Sequence, residues 1–246
     1  MLHGIMEIEM ANDCRDITVH AVNFEHRGGP AYFASLPDDG ETGTGCSPDR
    51  AGDRNHLVSV LLAHVAARGN PHWKRSFSFD SAAFPIDVVH DPLGRPRLLS
   101  GEYRMPAISF SEGGGHVWAA LCGDEADIGI DAATTDEFAG EYPLHRVFHD
   151  HELHHALRLT GGDPARASAL LWSIKEAVVK AMGCAFHLVA PLEVHVDPSI
   201  GGNRGYTFPV RLSSQVLARS PVDTGRSIWV RSIPREKMWI SIALLS

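Results

Sequence analysis

The chain has 246 residues, of which 44% are hydrophobic and 21% are charged, and its formal net charge is -8 at pH 7. This length is enough for one large domain or two fused small ones, and the composition excludes a disordered chain and a repeat solenoid. The negative charge argues against a general nucleic-acid surface, although a local basic pocket can exist inside an acidic protein.

The first part of the chain is predicted to contain a strand, a long connection and a helix. Residues Ile17 to Phe24 alternate between apolar and polar side chains, which is typical of a strand, and the Gly-rich, Pro-rich and Asp-rich stretch 27–53 reads as an irregular connection. An amphipathic period then predicts a helix, with Asp53 as its N-cap and Gly69 as its stop.

The middle of the chain is predicted to form a hairpin and a further strand, followed by two helices. After a turn at 91–97, the segment 106–123 reads as two strands around a turn at Glu112 to Gly115, and 126–133 reads as a third strand. Helical periods cover 143–159 and 163–183.

The remainder returns to alternating strands, at 192–197, 206–212, 227–233 and 237–245. Turns are predicted at Gly201-Gly202, Pro221 and Pro234-Arg235. Each half of the chain therefore holds a long amphipathic helix followed by strands. This pattern is consistent with an internal duplication.

Targeting and cysteine signals favour a cytoplasmic protein. The N-terminus has no signal-peptide core, and no later window approaches a membrane span. The four cysteines, Cys14, Cys46, Cys122 and Cys184, lie far apart without a Cys-x-x-Cys spacing, which argues against a disulfide framework or a thiolate zinc site. We therefore expect a cytoplasmic protein with neither a membrane nor a nucleic-acid partner.

Two segments carry the chemistry, the strand 126–133 and the helix 172–183. On that helix Trp172, Glu176 and Lys180 follow one another at four-residue spacing, so they share one stripe. Alone, the last two would be an ordinary helix ion pair, worth about 0.2–0.5 kcal/mol. Asp131, however, interrupts an apolar strand, where a carboxylate is costly unless it is paired or binds a cation. A strand Asp and a helix Glu are suitable hard oxygen ligands for Mg²⁺.

These segments resemble the Sfp-type 4'-phosphopantetheinyl transferase family, whose signatures read Gly-Ile/Val-Asp-x-Glu and Trp-x-x-Lys-Glu-Ala/Ser-x-x-Lys-x-x-Gly. The first is matched in part by Gly129 to Ala133, and the second in full by Trp172 to Gly183. The resemblance covers roughly residues 50–190 and includes, in family order, Arg54, Gly94-Arg95-Pro96, Ile108 to Ser111, Phe148 and Glu152.

The resemblance implies an α+β fold of two similar α/β halves in a pseudo-twofold arrangement, with an N-terminal half at 1–126 and a C-terminal half at 127–246. It implies a holo-acyl-carrier-protein synthase activity, in which the phosphopantetheine arm of coenzyme A moves to a serine of an apo acyl or peptidyl carrier protein. Adenosine 3',5'-bisphosphate would leave, Mg²⁺ would be the cofactor, and the fused halves would act as a monomer.

The resemblance also implies residue roles. Asp131 and Glu176 would hold Mg²⁺ and, with Lys180, form the catalytic set. Coenzyme A would contact five residues: Arg54, Arg95, Ser109, Phe110 and Lys175. Of these, the two arginines would reach the adenylate phosphates, Phe110 would pack on adenine, and Lys175 would face the pyrophosphate together with Lys180.

Two positions depart from the family pattern. Ala133 stands where the strand motif closes with an acid, and Phe110 stands where the family has a phosphate-binding histidine. Asp136 or Glu137 is the nearest candidate to substitute for the missing acid. The departures also leave open a catalytically impaired protein that binds coenzyme A or a carrier protein.

A third reading comes from the histidine-rich segment 145–155. His151, Glu152 and His155 satisfy the His-Glu-x-x-His pattern of zinc hydrolases, in which two histidines one helical turn apart bind the metal. The plain alternative is a solvated histidine-rich helix face.

Overall fold

A computed structural model describes residues 7–10, 17–24, 30–37, 50–68, 86–100, 103–123, 126–140, 143–184, 186, 188–202, 204–219 and 225–246. The strands are β1 (Glu7–Met10), β2 (Ile17–Val22), β3 (Ala31–Pro37), β4 (Asp87–His90), β5 (Pro96–Ser100), β6 (Tyr103–Arg104), β7 (Ala107–Gly113), β8 (His116–Cys122), β9 (Asp127–Thr134), β10 (Val194–Val196), β11 (Tyr206–Leu212), β12 (Ile228–Arg235) and β13 (Met238–Leu245). The helices are α1 (Arg50–Arg68), α2 (Asp150–Leu159), α3 (Pro164–Ala181) and α4 (Ser214–Arg219), with short 3-10 helices at Thr135–Phe138, Leu144–Arg146 and Pro191–Glu193.

The first half of the chain folds around an antiparallel sheet of order β1-β2-β3-β8-β7. Helix α1 packs on one face of this sheet, against β8, β3 and β2. Its apolar stripe, which includes Leu57 and Leu61, is fully buried there with Leu121 of β8. The short sheet β4-β5-β6 adds Leu98 to the same core.

The second half repeats this plan with a sheet of order β10-β11-β12-β13-β9. Helix α3 packs across β9 and β13. A Cβ atom on Gly129 would lie 1.9 Å from the backbone oxygen of Ala177, so only glycine lets the helix approach β9 this closely. The fold is mixed α and β, as predicted, whereas the pseudo-twofold relation and the boundary at 126/127 stay predictions.

The two large sheets face each other through the sides that the helices leave uncovered. A shared core there includes Phe33, Trp118, Ile130 and Ile242. At the edge of this interface β7 runs beside β9, and serine side chains of β7 accept backbone hydrogen bonds from β9. The bonds are Ile130 N to Ser109 Oγ at 3.1 Å and Ala132 N to Ser111 Oγ at 3.2 Å. Strands β7 and β9 are therefore held at a fixed separation.

Most predicted elements are confirmed, including the hairpin of β7 and β8 and the helix start at Asp163, whose carboxylate caps Arg166 N at 3.1 Å. Other predictions were wrong. The stretch 27–53 contains β3, and α1 already begins at Arg50, so Asp53 lies inside its first turn and is not the N-cap.

Two further predictions need correction. The helical segment 143–159 is an α-helix only from Asp150. Pro234 and Arg235 are part of β12 and do not form a turn. The pairing of β12 with β11 ends at Ser232, so Pro234, which lacks an N–H donor, lies beyond that pairing. The sheet β4-β5-β6 and helix α4 were not predicted. Predictions that concern Cys14, Cys46, Gly69 and Pro221 lie outside the described residues.

Among the helices that the structure describes, none has the length and apolar character needed to cross a bilayer.

His64 on α1 makes the stability of the first half depend on pH. Its side chain is 3% exposed and its ring meets the Tyr32 ring edge-on at 5.2 Å. Burial lowers the pKa of this imidazole, and the nearby Arg68 charge lowers it further. The unfolded chain, with a histidine pKa of about 6.5, therefore binds this proton more readily than the folded protein. The stability that neutral His64 contributes is therefore present above about pH 6.5, and it is lost as the pH falls through the folded pKa of His64.

We expect His64→Leu to flatten the decline of unfolding free energy as the pH falls below about 6.5, because it removes the group whose pKa differs between the folded and unfolded states. Urea unfolding at a series of pH values measures it. His56→Leu on the exposed side of the same helix is the matched control and should follow the wild type. Parallel curves for the wild type and His64→Leu would contradict the assignment.

Candidate active site

A cleft opens where α1 and β7 of the first half meet β9 and α3 of the second. Its larger part is a cavity of about 510 Å³, here named the acidic cavity, and its smaller part is a cavity of about 170 Å³, here named the basic cavity. The acidic cavity is lined by Arg54, Phe110, Ser111, Glu112, Asp131, Ala132, Glu137, Trp172, Glu176 and Lys180. The basic cavity is lined by Arg54, His90, Gly94, Arg95, Pro96, Ser109, Phe110, Lys180, Gly183 and Cys184. Because three residues line both cavities, the two form one cleft.

Asp131 lies at the floor of the acidic cavity, with only 7% of its surface exposed. Its Oδ1 accepts hydrogen bonds from Lys180 Nζ at 2.7 Å and from Ser111 Oγ at 3.0 Å. Burial raises the pKa of this carboxyl, and the positive charge and hydrogen bond of Lys180 offset part of the rise. Both hydrogen bonds use the same oxygen, so within the described part of the chain Oδ2 is left available for another ligand.

Glu176 is the second acid of the predicted pair, and it shares the ammonium of Lys180 with Asp131. Its Oε2 lies 3.9 Å from Lys180 Nζ. Burial raises the pKa of Glu176, the negative charge of Asp131 raises it further, and Lys180 lowers it in part. The structure therefore brings both carboxylates to the ammonium of Lys180, and their role as Mg²⁺ ligands stays a prediction.

Glu137 also reaches the acidic cavity, and its charge raises the pKa values of both Asp131 and Glu176. The 3-10 helix after β9 turns its side chain back, and Oε1 accepts hydrogen bonds from Thr134 N at 2.8 Å and Thr134 Oγ1 at 2.9 Å. Of the two acids considered as substitutes at position 133, the structure brings Glu137 to the cavity, while Asp136 is exposed and does not line it. Ala133 itself is buried in the core under α3.

The acidic cavity is short of positive charge. Three carboxylates there, those of Asp131, Glu137 and Glu176, act on one another across one ammonium. Two partly accessible carboxylates with hard oxygen atoms are a suitable donor set for a hydrated divalent ion. Across the described residues, however, no three His, Cys, Asp or Glu side chains come close enough together to hold a metal ion. Any ion would therefore depend on two protein ligands and take the rest from water and substrate.

Arg54 and Phe110 lie where the two cavities join. The Arg54 guanidinium carbon is 5.5 Å from the centre of the Phe110 ring, and Nη2 donates to Glu112 Oε1 at 3.0 Å. Sequence analysis had not singled out Glu112 as a site residue, since it was assigned to the turn. The alternation of β7 is the signal that could have found it, because Phe110 and Glu112 point to the same face of the strand.

Arg95 and Ser109 both line the basic cavity, and each also has a structural contact. Arg95 forms an ion pair with Asp127, which also accepts from Arg226 Nη1 at 2.6 Å. These two guanidinium groups outweigh the burial of Asp127 and hold its carboxyl pKa below the ordinary range. Ser109 Oγ accepts from Ile130 N, so this hydroxyl joins β7 to β9.

Lys175 does not reach the cleft. Its side chain is fully buried on the other side of α3, where Nζ lies 2.8 Å from Glu152 Oε2 and donates to Pro191 O at 2.9 Å. Burial lowers the pKa of this ammonium, and Glu152 raises it in part. The placement does not support the predicted pyrophosphate contact. We therefore withdraw Lys175 from the candidate site.

The His-Glu-x-x-His pattern is not arranged as a zinc site. Glu152 is 1% exposed and paired with Lys175, so it cannot activate a water molecule. His155 Nε2 accepts a hydrogen bond from Ser199 N at 3.0 Å, while His151 packs against the His149 ring at 5.5 Å. The zinc hydrolase reading fails because each member of the pattern is used elsewhere in the fold.

A cleft between two α/β units, with paired acids on one side and arginine side chains on the other, is typical of proteins that bind phosphate esters through a divalent ion. In a comparison with protein families, residues 127–216 match the model of the 4'-phosphopantetheinyl transferase superfamily. The matched range begins with β9, ends within α4 and includes Asp131, Glu176 and Lys180. No curated protein matches the sequence. A superfamily domain at this position supports phosphopantetheine transfer in general.

Proposed function

We propose that the protein is an Sfp-type 4'-phosphopantetheinyl transferase that moves the phosphopantetheine arm of coenzyme A to a serine of an apo acyl or peptidyl carrier protein. The observation that carries the proposal is the pairing of Asp131 and Glu176 around Lys180, next to a cavity lined by Arg54 and Arg95. Both walls of the cleft come from one chain, which supports action as a monomer.

The division of the cleft suits the two ends of coenzyme A. The basic cavity would hold the nucleotide, with Arg54 and Arg95 near its phosphates and with Ser109 and Phe110 beside them. Lys180 lines both cavities and would meet the pyrophosphate where they join. Holding the reacting phosphorus and the attacking oxygen in line is the main work of a protein in this class of reaction.

Asp131 and Glu176 would hold Mg²⁺, which supplies charge neutralisation for the pyrophosphate when bound. The serine oxygen of the carrier protein would form a bond to the phosphorus of the phosphopantetheine arm while the bond from that phosphorus to the bridging oxygen breaks. The proton of the serine would pass to Glu176. Adenosine 3',5'-bisphosphate would leave with the electron pair.

The test is to incubate the protein with coenzyme A, Mg²⁺ and a panel of apo carrier proteins, and then to weigh the carriers by mass spectrometry. One added phosphopantetheine arm on a carrier serine supports the proposal, and loss of the transfer in the presence of a chelator supports the ion. Coenzyme A binding without a mass increase on any carrier would favour a catalytically impaired binding protein. This alternative stays open because Ala133 stands where the family motif has an acid. Absence of both binding and transfer would overturn the proposal.

A further inference from the structure

Arg54 sits between two side chains of β7 that restrict its position. The guanidinium lies over the ring of Phe110 at 5.5 Å and donates from Nη2 to Glu112 Oε1 at 3.0 Å. Residues 110 and 112 are two apart on a strand, so their side chains stand on the same face and both contact the guanidinium. Arg54 comes from α1, which makes this a contact between two separate elements.

The guanidinium keeps hydrogen-bonding capacity after these contacts. An arginine has five N–H donors, and within the described part of the chain Glu112 is the only acceptor that Arg54 reaches. Its Nε is buried and has no hydrogen-bond partner among these residues. The side chain is still 32% exposed, and Arg54 lines both the acidic and the basic cavity. Arg54 is thus held in place while some of its hydrogen-bond donors remain unused among the described residues.

We infer that Phe110 and Glu112 are positioning residues, which hold the Arg54 guanidinium at the junction of the two cavities as the contact for a phosphate group of the nucleotide. The inference rests on the proposed function for the identity of the ligand. The ring of Phe110 restricts the long arginine side chain without using any of its donors, and Glu112 occupies one end of the guanidinium. Because the side chain is already held at the cleft, less conformational freedom is lost when the phosphate binds.

This arrangement accounts for two residues together. A phenylalanine offers no hydrogen bond to a phosphate, and a glutamate beside a phosphate site repels it. Taken singly, each residue would weaken anion binding. Both residues contact Arg54, because its positive charge attracts the carboxylate of Glu112 and the face of the Phe110 ring. Together they hold this cation at the cleft.

Isothermal titration of the full-length protein with coenzyme A tests the inference through a double-mutant cycle. Phe110→Leu keeps the apolar volume without the ring, and we expect it to raise the dissociation constant by about three- to tenfold. Glu112→Gln should raise it by about threefold. When Arg54 is replaced by alanine, adding either substitution should change the dissociation constant by less than about twofold, because the residue through which both act is gone.

Asn55→Ala is the matched control, because Asn55 is exposed on α1 next to Arg54 and lines neither cavity, and it should bind coenzyme A like the wild type. Thermal unfolding of each variant establishes that it is folded. Equal losses from Phe110→Leu with and without Arg54 would overturn the inference, as would unchanged or tighter binding in Glu112→Gln. If the wild type binds coenzyme A and the cycle shows no coupling, the inference fails and the proposed function stands. If the wild type binds no coenzyme A, the proposed function fails and the inference falls with it.

Discussion

Replacing Asp131 with asparagine is expected to lower the rate of carrier modification by about 10²–10³-fold, because the site then loses the charge that holds Lys180 and, in our proposal, the ion. Asparagine has the same shape, and its side-chain oxygen still accepts the hydrogen bond from Ser111 that Asp131 receives at 3.0 Å. The change therefore removes charge and leaves the packing as it is. The rate is measured by the mass of the carrier over time.

The same substitution should leave the protein at least as stable as the wild type. Burial raises the pKa of Asp131, which means that the charged form is disfavoured in the folded protein near neutral pH. Lys180, 28% exposed, can be solvated when its partner is neutral. A loss of activity without a loss of thermal stability is thus the expected signature of a functional acid.

Asp136→Asn is the matched control for this experiment. It removes an acid from the same short segment after β9, but that acid is exposed and outside both cavities. It should keep the wild-type rate. Full activity in Asp131→Asn would remove Asp131 from the catalytic set, and an unfolded variant would show that its role is structural.

The sequence predicted the parts of the site that depend on one element at a time. Asp131 stood out because a carboxylate is rare in an apolar strand, and Glu176 and Lys180 stood out because four-residue spacing places them on one helix stripe. These are local patterns. The ion pair between Asp131 and Lys180 was not predicted, because the family resemblance placed Lys180 at the pyrophosphate.

The parts that the sequence did not reveal depend on contacts between distant elements. Lys175 precedes Glu176, and consecutive helix residues point in directions about 100° apart, so only one of the two could face the cleft. Its partner Glu152 lies on α2, and no local pattern joins the two. Glu112 was likewise hidden because its meaning comes from Arg54 on α1. In both cases a charged residue finds its partner only through the packing of a second helix.

The second large effect concerns the buried pair of Lys175 and Glu152, for which we expect a loss of stability of about 3–5 kcal/mol when one partner is removed. Glu152 also accepts backbone hydrogen bonds, from His149 N at 3.0 Å and from Val196 N at 2.8 Å. It thereby joins the start of α2 to β10, and Lys175 adds α3 to this junction. Lys175→Met leaves the Glu152 carboxylate buried without its cation.

Urea unfolding near pH 7 measures the effect, and the double variant Lys175→Met with Glu152→Gln identifies its cause. Because the double variant leaves no unpaired charge, its loss should be smaller than the sum of the two single losses, by roughly 1–3 kcal/mol. Lys237→Met, at an exposed turn, is the control and should unfold like the wild type. Additive losses would show that the pair is not coupled.

Coenzyme A titration of Lys175→Met then decides between a structural lysine and a phosphate contact. A fully buried lysine bound to Glu152 and to Pro191 O cannot reach the cleft without breaking both contacts. We therefore expect the folded variant to bind coenzyme A with the wild-type dissociation constant, although it unfolds at a lower urea concentration. A weaker affinity with unchanged stability would reverse the assignment and return Lys175 to the active site. Removing a structural side chain lowers the free energy of unfolding, whereas removing a ligand contact lowers the free energy of binding.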